Sequence, residues 1–317
     1  MGNLPSVRFA QARPFLSSGV DYAGPFSVKE VKHRNRKFIK AYLCIFICMT
    51  TKAVHLEVAT DLTANSFLNV LKGFVSRRGL CSDIYSDNGG CFVGANNDLR
   101  LFLKTLEQDN SFSTFCDTQG IRWHFNPANS PHMGGLWESA VKSAKYHLKR
   151  VIGQNCLSLE DFATLCIQVE ATLNSRPLIP LTDDPNDLCP LTPSHFLIGD
   201  VLKAIPQSNV QQIPVNRLST YHTLQQMYQY YWRRWSSEYV STLQQRVKWK
   251  TASKELLNIG ALALLKDKNS PPLCWALARI VKLHPGSDGI TRVVTLRAKN
   301  GILKRAVSEI CVLPIDV

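Results

Sequence analysis

Three carboxylates sit where an acid needs a chemical reason. Asp21 falls inside VDYAGPF, a β-prone run in which an inward-facing acid must be compensated. Asp87 ends a short apolar run and opens the turn DNGG, which exposes a side chain at a strand end. Glu138 lies one turn into a predicted helix, GGLWESAVKSAKYHLKR. Strand, strand end and helix can converge on one edge of a sheet. Clustered carboxylates repel unless something neutralises them, and hard divalent cations with oxygen ligands do so. Two such ions about 4 Å apart activate an attacking oxygen and stabilise a leaving one in phosphodiester displacement. Lys142, Lys145 and Lys149 follow Glu138 on the same helix face, a row of amines suited to a phosphate backbone. The same spacing also describes an exposed face with Glu–Lys pairs, worth a few tenths of a kcal/mol.

The elements that must position these residues are legible in outline. Ser17 to Val28, Lys37 to Met49 and Ala53 to Ala59 read as three strands, the last two joined as a hairpin. Asp61 opens an amphipathic helix with Phe67, Leu71, Phe74 and Val75 at helical spacing and Gly79 as its stop. Ser82 to Ser86 is a fourth strand, and 97 to about 107 reads as helix. Residues 109 to 120 form an insertion, and Ile121 to Asn126 a fifth strand. Helices follow from about Gly135 to Val151 and from Leu159 to Asn174. Pro177 to Pro193, with five prolines and three aspartates, reads as a linker or extended excursion. Leu218 to about Lys250 is a second helical region. From Asn258 onward short strands alternate with turn signals, among them Asn300-Gly301, as in a small all-β barrel. The chain therefore divides into a lead-in (1–16), an α/β core (17–180), a linker and helical connector (181–257) and a basic β domain (258–317).

Composition sets the boundaries. A chain of 317 residues with 45% hydrophobic residues folds as one large domain or a few small ones, which excludes a disordered or collagenous chain. The longest apolar run, around Ala41 to Met49, is too short to span a bilayer as a helix, and the N-terminus lacks a secretory h-region. Ten scattered cysteines without CxxC spacing fit a reduced, intracellular chain. The formal charge is +13, of which 9 basic and 4 acidic residues fall after residue 255, so the tail is the most basic part per residue. That balance favours a polyanionic partner without proving one.

Several long segments resemble a known family. VDYAGPF around Asp21, SDNGGCFVGAN around Asp87 and NSPHMGGLWESAVKSAKYHLKR around Glu138 resemble the Asp, Asp, Glu signature of retroviral-type integrases. The wording is closest to integrases of the Bel/Pao class of LTR retrotransposons. LNSRPL (173–178) and LTPSHFLIG (191–199) are similar to segments that follow the core in that class, and the basic β tail resembles its C-terminal module. The resemblance implies an RNase H-like core, a mixed five-stranded sheet flanked by helices, followed by a helical connector and a small all-β SH3-like domain. It implies two Mg²⁺ (or Mn²⁺) ions held by Asp21, Asp87 and Glu138, and a reaction that trims the 3′ ends of element DNA and joins them to target DNA. It further implies DNA contact by Lys142 and Lys145, a homo-multimer, no membrane, and action in the nucleus. The gap between Asp87 and Glu138, 50 residues, exceeds the family's usual one, and the extra length falls at 109–120. The resemblance implies an N-terminal His-His-Cys-Cys zinc module before the core, whereas this sequence opens only 20 residues before Asp21. The chain thus reads as a polyprotein fragment, a truncated copy, or a co-opted host gene that binds DNA or chromatin without catalysis. An RNase H-type nuclease shares the fold and metals, but the tail argues against it.

Other residues carry two readings each. Cys44 and Cys48 share a strand face and read as buried free thiols. Asn88 and Gly89 either shape the approach of DNA or serve the sharp turn. His124 and His132 lack a Cys at zinc-ligand spacing and read as strand and loop residues. Tyr228, Tyr230, Tyr231, Trp232, Arg233, Arg234 and Trp235 form a basic aromatic cluster, read as helix packing in preference to base stacking. In the tail, Arg292, Arg297, Lys299, Lys304 and Arg305 are the candidate phosphate contacts.

Overall fold

The computed structural model describes residues 11–31, 37–108, 120–126, 135–153, 155–182, 184–243, 257–267 and 270–314, without the side chains of 103–108 and 135–141. The expected insertion at 109–120, except for residue 120, and His132 lie outside the described residues. The chain divides into two units, Met1–Leu173 and Asn174–Val317. Among the described residues no helix is long and apolar enough to cross a membrane.

The first unit is built on a mixed five-stranded sheet. Its strands are β1 (Ser17–Lys29), β2 (Phe38–Cys48), β3 (Val54–Ala59), β4 (Asp83–Ser86) and β5 (Arg122–Phe125), in the order β3-β2-β1-β4-β5. β1 pairs antiparallel with β2 and parallel with β4, so it sits where the sheet changes direction. Between β3 and β4 runs α1 (Ala64–Arg78). Thr63 caps it by accepting from the Ser66 amide at 3.2 Å, and Asp61 in turn holds Thr63. Gly79 ends the helix at φ +84°, a conformation that favours glycine. Phe67, Leu71 and Phe74, predicted as its apolar face, are buried, with Phe74 stacked on Phe46 at 4.2 Å.

α2 (Gly90–Gln108) starts seven residues before the expected helix. Gly94, a weak helix former, is where α2 approaches α1: a Cβ there would lie 2.9 Å from Ala64 Cβ. Close helix packing thus overrides a weak propensity. Two more helices, α3 (Gly135–Ile152) and α4 (Leu159–Asn174), fall at or within a residue of their expected bounds, and α3 packs against β1 and β2.

A buried polar network joins β3, α1 and α4. His55 is fully buried; its Nε2 lies 3.1 Å from Glu57, and its Nδ1 accepts from Arg78 Nε at 3.2 Å. Arg78 also pairs with Glu170, which accepts from the Leu56 amide at 2.8 Å, and Arg77 pairs with Glu57. These partners place the proton of a neutral imidazole on Nε2. Burial lowers the His55 pKa against the opposing pull of Glu170. Burial raises Glu170, but the neighbouring His55 ring, the Leu56 amide and the Arg78 charge bring it below the ordinary range.

In the second unit the proline-rich stretch is a short hairpin, β6 (Ile179–Pro180) against β7 (Pro190–Leu191), followed by the one-turn helix α5 (His195–Ile198). The long helix α6 (Thr220–Leu243) grips the extended segment 208–213. Buried Gln225, Gln226 and Gln229 donate to the carbonyls of Ser208, Val210 and Ile213. Its aromatic cluster is a core: Trp232 and Trp235 are buried and, with Tyr239, pack around the ring of Trp275, while Arg233 and Arg234 face solvent. The helix-packing reading of this cluster agrees with that arrangement.

The basic tail forms an antiparallel sheet in the order β11-β10-β9-β8-β12. Its strands are β8 (Leu262–Leu265), β9 (Leu277–Pro285), β10 (Thr291–Ala298), β11 (Gly301–Ala306) and β12 (Ile310–Val312). Ala298 pairs with Gly301, so the hairpin turn is Lys299-Asn300, one residue earlier than the sequence suggests. One face buries Ala263, Ala278, Ile280, Val294, Leu296 and Ile310. On the other, Leu262, Leu264, Cys311 and Leu313 pack against Val240 of α6.

Candidate active site

The placement of Asp21 and Asp87 follows from strand register. β1 and β4 run parallel with Ser17 beside Asp83 and Gly19 beside Tyr85. The last pair is Gly19 with Tyr85 and β4 ends at Ser86; the same offset continued past that end points Asp87 toward Asp21, and both charges reach the Cys91 thiol. The Tyr22 ring stacks on Phe92 of α2 at 5.5 Å and meets Phe67 of α1, so Asp21, its neighbour, turns away from those helices.

Each carboxylate is oriented by its own backbone. Asp21 is half-buried and its Oδ1 accepts from the Tyr22 amide at 2.6 Å. Asp87 is exposed and its Oδ1 accepts from the Gly89 amide at 2.9 Å, at the N-terminal end of α2, where unpaired amides favour a negative charge. Asn88 donates to the Asn126 carbonyl at 2.8 Å, tying this loop to the end of β5, in keeping with the turn-shaping reading. Cys91, half-buried, registers both acids. Burial raises its thiol pKa, two backbone hydrogen bonds oppose this, and Asp87 and then Asp21 raise it further.

Glu138 occupies the first turn of α3, and its side chain lies outside the described residues. Among the described residues no group of three His, Cys, Asp or Glu is placed to hold a metal ion. The two described members of the expected triad are hard oxygen donors whose charges both reach Cys91, a donor type that suits Mg²⁺ or Mn²⁺. Lys142 and Lys149 are exposed and Lys145 is half-buried on α3, whose opposite side buries Ala144, His147 and Leu148. His124 has a structural role: it lies 2.7 Å from Asp83 on β4. Cys44 and Cys48 are buried free thiols, as read.

The tail residues separate. Arg292 forms a two-pronged pair with Asp288 at 3.0 and 2.7 Å, which holds the Asp288 carboxyl at about 2. Arg297 donates to the Pro185 carbonyl, and Lys299 stands exposed in the hairpin turn. Lys304 and Arg305 are adjacent on β11 and so point to opposite faces. Arg305 Nε is 3.9 Å from Glu309. Lys282, not singled out in the sequence, lies level with Thr295 and, through it, with Lys304 across three strands. The alternation Lys282, Leu283, His284 was the available signal.

Residues 219–313, from the start of α6 to the end of the tail sheet, match the model of a family of unknown function (DUF5641). No curated protein matches the chain. Among solved structures, the chain is similar to one in the simian T-cell lymphotropic virus intasome in complex with PP2A regulatory subunit B56 gamma. Identity is 12%, with 96% of this chain and 81% of that one covered and a TM-score of 0.38. It is also similar to the HTLV-2 integrase catalytic core domain in complex with magnesium (trimeric form), at 18% identity over 53% of this chain and 91% of that one, with a TM-score of 0.33.

Proposed function

We propose that this chain is a retroviral-type integrase of the Bel/Pao class, a metal-dependent polynucleotidyl transferase that processes 3′ ends and joins them to target DNA. The observation that carries the reading is the parallel pairing of β1 and β4, which directs two acids 66 positions apart toward one sheet end, where both charges act on Cys91. The strand order β3-β2-β1-β4-β5, antiparallel on one side of β1 and parallel on the other, supports an RNase H-like core. Asp21, Asp87 and Glu138 would hold two Mg²⁺ or Mn²⁺ ions. Bound there, the ions would supply activation of an attacking water or 3′ hydroxyl and stabilisation of the leaving oxygen. The chain's own work is positional. Backbone amides fix the two aspartates, and Lys142, Lys145 and Lys149 offer cations to the DNA backbone alongside Glu138.

In this reading residues 17–180 are the catalytic core, 181–257 connect, and 258–317 form an SH3-like DNA-contacting module. The protein works as a homo-multimer on chromosomal DNA in the nucleus. Asp87→Asn is expected to abolish strand transfer, assayed with Mg²⁺ and blunt-ended DNA mimicking an element terminus, while leaving DNA binding nearly intact. Normal strand transfer by that variant would sink the assignment. A second reading, a co-opted DNA- or chromatin-binding protein without catalysis, draws on the basic tail sheet alone, and in that case the unmodified chain binds DNA and transfers no strands.

A further inference from the structure

Strands β9, β10 and β11 contain no Asp or Glu. Cross-strand pairing shows which of their basic residues share a face. Thr295 pairs with Lys282 on one side and Lys304 on the other, while Val293 pairs with His284 and Arg297 with Arg279. One irregularity, between Thr295 and Leu296, lets β9 carry an extra residue, so Arg279 and Lys282 share a face despite their odd spacing. His284 lies 2.7 Å from the Thr295 hydroxyl, on the same face. Lys282 and Lys304 are exposed, and their strands are about 10 Å apart with Thr295 between them.

One end of this face is already covered. Arg279, only 5% exposed, donates to the carbonyls of Gly260, Thr182 and Asp187 at 2.8, 3.0 and 2.8 Å. Its neighbour Arg297 holds Pro185 of the same loop. That loop, TDDPND, is acidic. A polyanion meets aspartates there, and arginines already committed to backbone carbonyls; beyond them stand the exposed cations Lys282 and Lys304.

We infer that the outer face of β9–β10–β11, centred on Lys282, Thr295 and Lys304, meets the phosphate backbone of duplex DNA, and that Arg292, Arg297 and Arg305 do not. The choice of DNA rests on the proposed function; the choice of residues rests on register and charge. Anisotropy of a labelled duplex, titrated with NaCl against the full chain, tests it. The double variant Lys282→Gln, Lys304→Gln lowers the slope of log K against log salt by about 1.8, at about 0.9 per lost phosphate contact. Arg292→Gln with Arg305→Gln leaves the slope unchanged, and Lys282→Arg with Lys304→Arg keeps the unmodified slope. An unaltered slope in the lysine double variant, or an equal loss in the arginine pair, overturns the inference even if the chain transfers strands. A lysine-dependent slope in a chain that never transfers strands upholds it and removes the integrase reading alone.

Discussion

Glu170→Gln isolates the charge at the centre of the buried network without changing side-chain shape. Glu170 is 13% exposed and Arg78 20%, so their pairing is largely shielded from water. A hydrogen bond to a charged group contributes about 1.5–3 kcal/mol net, which sets the expected loss at about 2 kcal/mol. For a unit of this size each kcal/mol lowers Tm by about 2–4 °C, so the first unit melts about 4–8 °C lower. The pH dependence has a definite sign. Glu170 titrates below its ordinary value in the folded state, so its contribution is present above the unfolded carboxylate range and is lost as pH falls through the folded value. His55 is also lowered, so the unfolded chain takes up its proton first, and stability declines as pH drops below about 6.5. Glu170→Gln removes the lower of these two acid phases and, by taking away the pull that opposes burial at His55, deepens the upper one. Calorimetry from pH 7.5 to 3.5 measures both. An unchanged Tm with an unchanged acid profile would refute the assignment of Glu170 as the ionised partner of Arg78.

Two further substitutions probe separate devices. Thr63→Ala removes the α1 cap and costs about 1 kcal/mol, read as a lower urea midpoint with unchanged m-value and unchanged DNA binding. Arg279→Lys keeps the charge but loses the planar fork that reaches three carbonyls, so the amides of 184–189 are expected to exchange hydrogen faster and the loop to be nicked by protease sooner than in the unmodified chain.

What the sequence disclosed was set by how local the cause was. α1 was legible from Asp61, its apolar spacing and Gly79, because caps and periodicity act within a few residues. α4 was legible at both ends for the same reason. The early start of α2 was not, since Gly94 is favoured by Ala64 on another helix. The 177–193 stretch offered proline without pattern, and its order depends on Arg279, about a hundred residues away. Asp21 and Asp87 were recognisable as acids in need of partners, but only the parallel pairing of β1 with β4 directs them toward the same sheet end. In the tail, composition identified a basic module, while the choice between Lys304 and Arg305 waited on which face holds the core. The β9 irregularity hid Lys282 by breaking the count of alternation.

The β1–β4 register also governs which changes of chain length a lineage can accept. Everything between the two aspartates leaves the sheet centre as β2, β3 and α1 and returns to it, so a residue gained or lost in the connections among them alters loops and leaves the two carboxylates at the same sheet end. A single residue deleted between Asp83 and Asp87 acts differently: it shifts the phase of alternation and swings that carboxylate to the far side of the sheet. Insertions and deletions should therefore be frequent in the connecting loops and absent from two five-residue windows, 17–21 and 83–87, whose lengths, more than their compositions, keep the acids together.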